Sequence, residues 1–510
     1  MKRKGMTTAV CGLLTSALLM GCGVQSSENT TETTAKTTAK TETTASQPED
    51  ITKLKLAMFT FGDNPDLEEV QEEVNKISRE EIGVEVEITL INQGSWVQQT
   101  NMMLASGGEI DIMPVGTSPV TTYVGNGQII PLDDLLEEYG QGIKEVIEPE
   151  YLDCGRVGEK LYGLPTNRDL ASTMSAVVRK DICEKYGIDY ENITTLEELE
   201  DALKIVKENE PNMYPLVSHR GGACKHWGWD SLGTNSVDLG VLMDNGDSLT
   251  VENLYETDEF MDFCKLMRKW YLDELIMSDV VNNTETAVNL IKADRAFGFL
   301  THTKPGYDIQ STGQTGYEMA MIDLVEPLSV TSDVQFVMWS ITNTCETPEK
   351  AMEFLNLAYT NADVSNLLIN GIEGKHYVIK DEENGIIGLP DGVTDKSVSG
   401  YSGGTGYAWP NQFLTYVWEG NAPDYWEQLD AYNKSAHKSK ALGYAFDVTP
   451  VQTEYAACKN VVDKYRNALM LGAVDPEETL TKMNNELYEA GLQNILDTKQ
   501  SQLDEWLAQQ

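Results

Sequence analysis

Hydrophobic positions along the chain follow two periods, and their alternation sets the expected architecture. "KLKLAMF" (Lys53–Phe59) alternates and then turns apolar, as a strand entering a buried sheet does. The next stretch, "GDNPDLEEVQEEVNKISREE", puts Leu67, Val70, Val74 and Ile77 on one face at helical spacing, with Asn64 able to cap and Pro65 suited to the first turn. "GVEVEITLI" alternates again as a second strand, "SWVQQTNMMLASG" reads as a second helix, and "EIDIMPV" as a third strand. A β-α-β-α-β start implies a parallel sheet with right-handed crossovers. Ligands of such sheets bind beyond the carboxyl ends of the strands, here Thr60–Asn64, Asn92–Trp96 and Gly116–Tyr123.

Further along, "EKLYGLPTNRDLASTMSAVV" reads as a strand that leaves this first sheet. "TTLEELEDALKIVKE" carries a capping box, Thr195 with Glu198, and an apolar face at Leu199, Leu203 and Val206. "DRAFGFLTHTKPG" is an apolar strand ending in polar residues, and "DVQFVMWSITNTCETPEKAMEFLNLAYT" is a strand, a turn and a helix opening at Thr347-Pro348. There is no internal repeat, no G-x-x-x-x-G-K-[ST], and no G-x-G-x-x-G after a strand.

The first fifty residues follow neither period. Lys2, Arg3 and Lys4 precede a short apolar run, Ala9 to Met20, softened by Gly12, Thr15 and Ser16. The run is too short and interrupted to span a bilayer, which takes ~20 apolar residues, and it has the form of a signal peptide over residues 1–21. Gly21 is small enough to sit beside a cleavage site, and Cys22 would be the first mature residue, where a lipid is attached. Residues 22–50 include "TTAKTTAKTETTA" and almost no apolar side chains, so they are expected to form a disordered tether with a reach of ~30 Å.

Composition narrows the partners. The 510-residue chain carries a formal charge of −43, which repels nucleic acid and anionic lipid headgroups and leaves neutral ligands as the easiest fit. After the leader and tether, about 460 residues remain, more than one core of ~250–300 residues holds, so two lobes are expected. Of eight cysteines, Cys154, Cys183, Cys224, Cys264, Cys345 and Cys458 lie beyond the lipidated one, without a C-x-x-C pair or a histidine at zinc spacing. Structural zinc is therefore unsupported, and no metal or cofactor is expected; disulfides and buried free thiols both fit the spacing.

The order of lipobox "LMGC", polar tether, "MLASGGEIDIM", "GQIIPLDDLLEEY", "LYGLPTNRDLA", "TTLEELEDALKIVKE" and "TPEKAMEFLNLAYT" resembles the family 1 extracellular solute-binding proteins of bacterial ABC importers. More narrowly, "GIEGKHY", "WPNQFL" and "FDVTPVQTEYAACKNV" resemble the C-terminal region of unassigned function in LipO-type lipoproteins of Gram-positive bacteria. The resemblance covers residues 51–510. It implies an α/β fold of two lobes joined by crossing strands: residues 51–165 with 330–395 as lobe 1, and 166–329 with 396–510 as lobe 2. The chain would cross near Leu164–Thr166, return near Val330–Trp339 and cross again near residue 395. The implied role is a monomer, held at the outer face of the membrane through its lipid alone, that delivers an oligosaccharide to an ABC permease without a catalytic step.

A sugar has polar rims and weakly apolar C–H faces, so its binder needs aromatic planes and hydrogen-bonding side chains. Nine Trp and 22 Tyr against 10 Phe supply amphipathic rings. "KHWGWD" sets Trp227 and Trp229 two apart with His226 and Asp230 beside them; "SGYSGGTGYAWPNQF" holds Tyr401, Tyr407 and Trp409 among glycines; Trp96 and Trp339 lie at a strand end and beside the expected hinge. Asp63 and Asn64 after the first strand, Thr117 and Ser118 after the third, Arg168 in "PTNRD", and His302 and Lys304 after "FGFL" complete the candidate contacts. Each of these fits a cap, a core position or a solvated surface as well. Trp270, Trp418, Trp426 and Trp506 sit in helix-like contexts and read as packing residues, and Asp111 as structural. The alternatives are a surface-tethered glycoside hydrolase, for which 81 acidic residues always offer a carboxylate pair, and a binder of peptides or another polar solute.

Overall fold

The strand expected at Lys53–Phe59 opens the first of two sheets, and six of the nine residues of Thr52–Thr60 are buried, as in a sheet covered on both faces. The structure is a computed structural model describing residues 51–510, apart from 108–109, 117–119, 219–226, 234–236 and 402–404. The strands of the two sheets are β1 (Thr52–Thr60), β2 (Val84–Asn92), β3 (Ile112–Val115), β4 (Leu164–Pro165), β5 (Thr173–Arg179), β6 (Tyr214–Val217), β7 (Ala296–Thr303), β8 (Met319–Asp323) and β9 (Met338–Ile341).

Lobe 1 has the order β2-β1-β3-β9-β4, with β1 parallel to both β2 and β3, as a β-α-β-α-β start requires, and β9 antiparallel to β3 and β4. Lobe 2 has the order β8-β5-β7-β6, with β5 antiparallel to both neighbours and β6 parallel to β7. The capping box of Thr195 and Glu198 opens Leu196–Asn209, whose Leu199, Leu203 and Val206 are buried as expected.

Two local expectations change. "EKLYGLPTNRDLASTMSAVV" is not one strand but Lys160–Leu161, β4 and β5 in succession. Pro165 has no N–H to continue a ladder, and Gly163 lies so close to Met338 that an added Cβ would come within 3.0 Å of that side chain. Asn64 does not cap the first helix, which runs Leu67–Ile82 with Asp66 in the cap position. Its amide instead donates to Thr60 Oγ1 and to the Gly62 carbonyl, both at 3.0 Å, and so folds the loop after β1 onto itself.

Three chain segments join the lobes and are tied together at one point. The Asn433 amide donates to the Arg168 carbonyl at 2.6 Å and accepts from the Leu170 N–H at 2.8 Å. Ser329 Oγ donates to the Leu170 carbonyl at 2.7 Å, and the Tyr151 hydroxyl to the Asn433 carbonyl at 3.0 Å. Leu328–Ser329 runs parallel to His437–Lys438. Part of the segment after residue 395 packs on lobe 1: Ala408 and Trp409 are in its core, Tyr401 Oη donates to the Leu368 carbonyl, and Trp418 Nε1 to Asn370 Oδ1.

The last three helices, Gln452–Met470, Pro476–Glu489 and Leu492–Leu507, pack on lobe 2 and share a core with Trp229, Leu239, Val241 and Phe260. Cys154, Cys183, Cys264, Cys345 and Cys458 are free thiols, which leaves no disulfide among them. Burial raises the thiols of Cys183, Cys264 and Cys345 to about 12 and that of Cys458 to about 11, so they pack as small apolar groups. Cys224 lies outside the described residues.

Candidate functional site

Beyond the carboxyl ends of the lobe 1 strands, the structure gathers aromatic rings that face solvent. Phe61 follows β1 and is 58% exposed, while Phe336 lies on the returning segment just before β9 and is 52% exposed. Tyr407 bridges them over the buried Phe59: it stacks on Phe336 with centroids 6.1 Å apart and planes at 30°, and lies 6.5 Å from Phe59, which in turn is 6.1 Å from Phe61. The Arg168 guanidinium sits over the Phe336 ring at 5.7 Å. Gly116, at the end of β3, lets this segment come close; an added Cβ there would stand 2.4 Å from the carbonyl oxygens of Gln335 and Phe336.

Polar groups flank the rings. A groove of about 470 Å³ is lined by Thr60, Phe61, Gly62, Asp63, Asn64, Leu67, Leu90 and Asn92, so Asp63 and Asn64 stand where the first strand ends, as expected. The loop is pinned from behind. Asp66 accepts from His376 Nε2 at 3.1 Å and pairs with Lys375 at 3.1 Å, and the His376 hydrogen bond, followed by the Lys375 one, holds its carboxyl below the usual range. Because His376 Nδ1 accepts the Ile372 N–H at 2.8 Å, the ring proton is on Nε2. This is the part played by His376 of "GIEGKHY".

Where the lobes meet, Arg168 and Lys304 converge on Asp169, at 3.6 and 3.0 Å. Burial alone would raise the Asp169 carboxyl, but the charges of Lys304 and Arg168 outweigh it and keep it below its ordinary range. Arg168 also donates to the main-chain carbonyls of Asp169 and Asp333, at 2.6 and 2.7 Å. Tyr425 closes this corner against Gly306, where a Cβ would come within 2.6 Å of its ring. His302, half-buried on β7, pairs in register with Met174.

Several expected ring contacts are core residues instead. Trp96 is fully buried and meets Phe59 edge-on at 5.8 Å. Trp339 is fully buried, donates its indole N–H to the Ala408 carbonyl at 2.9 Å and stacks on Trp409 at 5.7 Å; Trp409 is itself buried. Tyr401 is buried with its hydroxyl on the Leu368 carbonyl, and Trp229 is buried 6.4 Å from Phe260. A ring without open surface cannot stack on a solute. Trp227 remains half-buried against Phe263 at 5.1 Å, with no hydrogen-bond partner for its indole nitrogen among the described residues. Thr117, Ser118 and His226 lie outside the described residues.

Of the four packing tryptophans, Trp270 is buried and donates to Glu200 at 2.8 Å, whereas Trp506 lines a second groove, of about 540 Å³, between residues 150–159 and the C-terminal region. Phe61 and Phe336 are not among the Trp and Tyr rings expected from sequence; the one signal for Phe61 is its place one step past the buried end of β1. Among the described residues no helix is long and apolar enough to cross a membrane, and no group of three or more His, Cys, Asp or Glu is placed to hold a metal.

Comparison with known proteins gives this geometry its context. A carbohydrate ABC transporter substrate-binding protein of Streptococcus pneumoniae serotype 4 is 28% identical over 476 residues, covering 89% of this chain and 91% of that one. The crystal structure of the N-glycan transport solute-binding protein NgtS from Streptococcus pneumoniae superposes with a TM-score of 0.79 at 25% identity, over 90% of this chain and 99% of that one. NgtS in complex with Man5GlcNAc covers the same shares at the same identity but with a TM-score of 0.67. Residues 440–508 match a domain of unknown function, DUF3502. Residues 63–364, more than half of the chain, match the model for the bacterial extracellular solute-binding proteins, and the chain belongs to that family.

Proposed function

We propose that this protein captures an oligosaccharide between its lobes and presents it, chemically unchanged, to the permease of an ABC importer. The observation that carries this reading is the solvent-facing platform of Phe61, Tyr407 and Phe336 beside Arg168, at the carboxyl ends of the lobe 1 strands. Rings left open at that place lose hydrophobic stabilisation unless something covers them, and the C–H face of a pyranose does so while its hydroxyls reach Asp63, Asn64, Arg168, His302 and Lys304. Trp227 supplies a ring from lobe 2.

The relatives support a glycan as the ligand, since one is named for carbohydrate and NgtS is seen with Man1GlcNAc and Man5GlcNAc. That this chain matches the NgtS structure named without a glycan better than the Man5GlcNAc complex supports an arrangement of lobes that changes when ligand is bound. Cys22 carries the lipid that keeps the protein at the outer face of the membrane, and the protein works as a monomer without metal or cofactor.

Calorimetric titration with Man5GlcNAc and other neutral oligosaccharides, followed by mass spectrometry of the recovered sugar, tests the proposal. Saturable binding with the glycan intact is the expected result. Shorter product sugars would replace it with a glycoside hydrolase, and binding of peptides but no glycan would replace it with a peptide carrier.

A further inference from the structure

We propose that the region of unknown function, residues 440–508, is an internal bracket that shapes the lobe 2 side of the cleft, and that Lys499 is its positioning residue. The inference rests on the cleft being the binding site.

The part of lobe 2 next to Trp227 has little structure of its own. Trp227–Gly233 and Val237–Asn253 contain one short 3-10 turn, Asp244–Gly246, and isolated bridges such as Asp230 with Leu242 and Val241 with Glu252. Four residues other than glycine adopt left-handed backbone here: Leu232, Asp238, Asp244 and Asn245. Such conformations persist only where surrounding contacts impose them. A buried chain that forms no ladder also leaves its carbonyls to be satisfied elsewhere.

The C-terminal region meets both needs. Lys499, fully buried on Leu492–Leu507, donates its ammonium protons to the carbonyls of Ser231, Leu239 and Gly240 at 3.1, 2.7 and 2.6 Å. The Lys499 amino group thus sits among three main-chain oxygens, where burial lowers its pKa to about 7. Arg466 pairs with Asp238, which also receives the Ser231 hydroxyl. Ser439 Oγ donates to Asp230 Oδ2 at 2.6 Å, and Gln500 accepts the Val251 N–H at 2.7 Å. The fit is close: at Gly240, with φ +80°, a Cβ would come within 3.1 Å of Val251, Leu496 and Lys499. Each anchor lies on the C-terminal side and each anchored group in the irregular stretch, so the bracket acts on the wall from behind without reaching solute.

Lys499→Met keeps the length and apolar stem of the side chain and removes its three donors. Man5GlcNAc binding by the full-length protein and its variant, with amide hydrogen exchange on both, tests the proposal. Exchange should rise in 227–233 and 237–253 while β5 and lobe 1 stay protected, and Man5GlcNAc should bind about tenfold more weakly at a temperature where both proteins are fully folded. Unchanged exchange in those stretches, or unchanged affinity alongside increased exchange, would overturn the bracket. A rise spread evenly over the chain would also overturn it, since it would mean general loss of stability. If Lys499→Met does not fold, Gln500→Ala, which removes the bonds to Val251 and Leu249 together with an exposed bond to Asp504 on its own helix, carries the same two readouts. If the unaltered protein binds no glycan, the proposed function fails, whereas the exchange pattern still decides whether the bracket exists.

Discussion

The two sides of the cleft are built in opposite ways. On lobe 1 the ring platform stands at the strand ends of a regular, mixed sheet, and the loop after β1 is held by the bonds of Asn64 to Thr60 and Gly62 and, from behind, by the His376–Asp66 pair. On lobe 2 the stretch beside Trp227 is irregular, and its carbonyls and carboxylates are satisfied by residues more than two hundred positions away in sequence. A surface at the end of a sheet inherits its geometry from the ladder; one made of bare backbone must borrow it. Changes behind the lobe 2 wall should therefore cost both fold and affinity, whereas changes on the lobe 1 face should cost affinity alone.

The largest effect expected is for Arg466→Met, which leaves Asp238 buried without its partner and should lower stability by ~3–5 kcal/mol, read by chemical denaturation. Trp409→Ala opens the lobe 1 core beside Trp339 and should cost a similar ~3–5 kcal/mol, with the affinity of the folded fraction unchanged. A weakened affinity at full folding would instead return Trp409 to the cleft. Phe61→Ala and Phe336→Ala should each weaken glycan binding by ~1–3 kcal/mol while moving stability by no more than about 0.5 kcal/mol, measured by titration and thermal melting.

The smallest effect concerns pH. Burial pushes the Glu200 carboxyl up, but hydrogen bonds from Lys204, Lys269 and Trp270 outweigh it and bring it down to about 2. The unfolded chain then takes up this proton first. The group's contribution is complete above the ordinary carboxyl value and fades as pH falls toward about 2. Because both lysines are half open to water, it should amount to about 1 kcal/mol, seen as a shallower acid-denaturation limb in Glu200→Gln.

Much of this architecture was legible in the pattern of residues. The β-α-β-α-β opening and the capping box at Thr195 both rest on local periodicity and turn chemistry. The Gly- and Ser-rich stretch that holds Tyr401 and Trp409 has no period to mark what it packs against; the hydrogen bonds of Tyr401 to Leu368 and of Trp418 to Asn370 supply that. The site was read less well for a related reason. Two indoles in a loop suggest exposure, yet Trp229 is enclosed by helices from the far end of the chain, and sequence spacing carries no sign of that cover. The exposed phenylalanines were overlooked because apolar rings at strand ends ordinarily finish a core.

The knot of Asn433, Ser329 and Tyr151 also says where motion can be watched. With the three crossing segments fastened to one another, any swing of the halves has to bend the chain on either side of that fastening. If the lobes close on a glycan as proposed, two dyes placed within the knot should keep a constant separation when Man5GlcNAc is added, while a pair spanning from the rim near Phe61 to the rim near Trp227 should draw together.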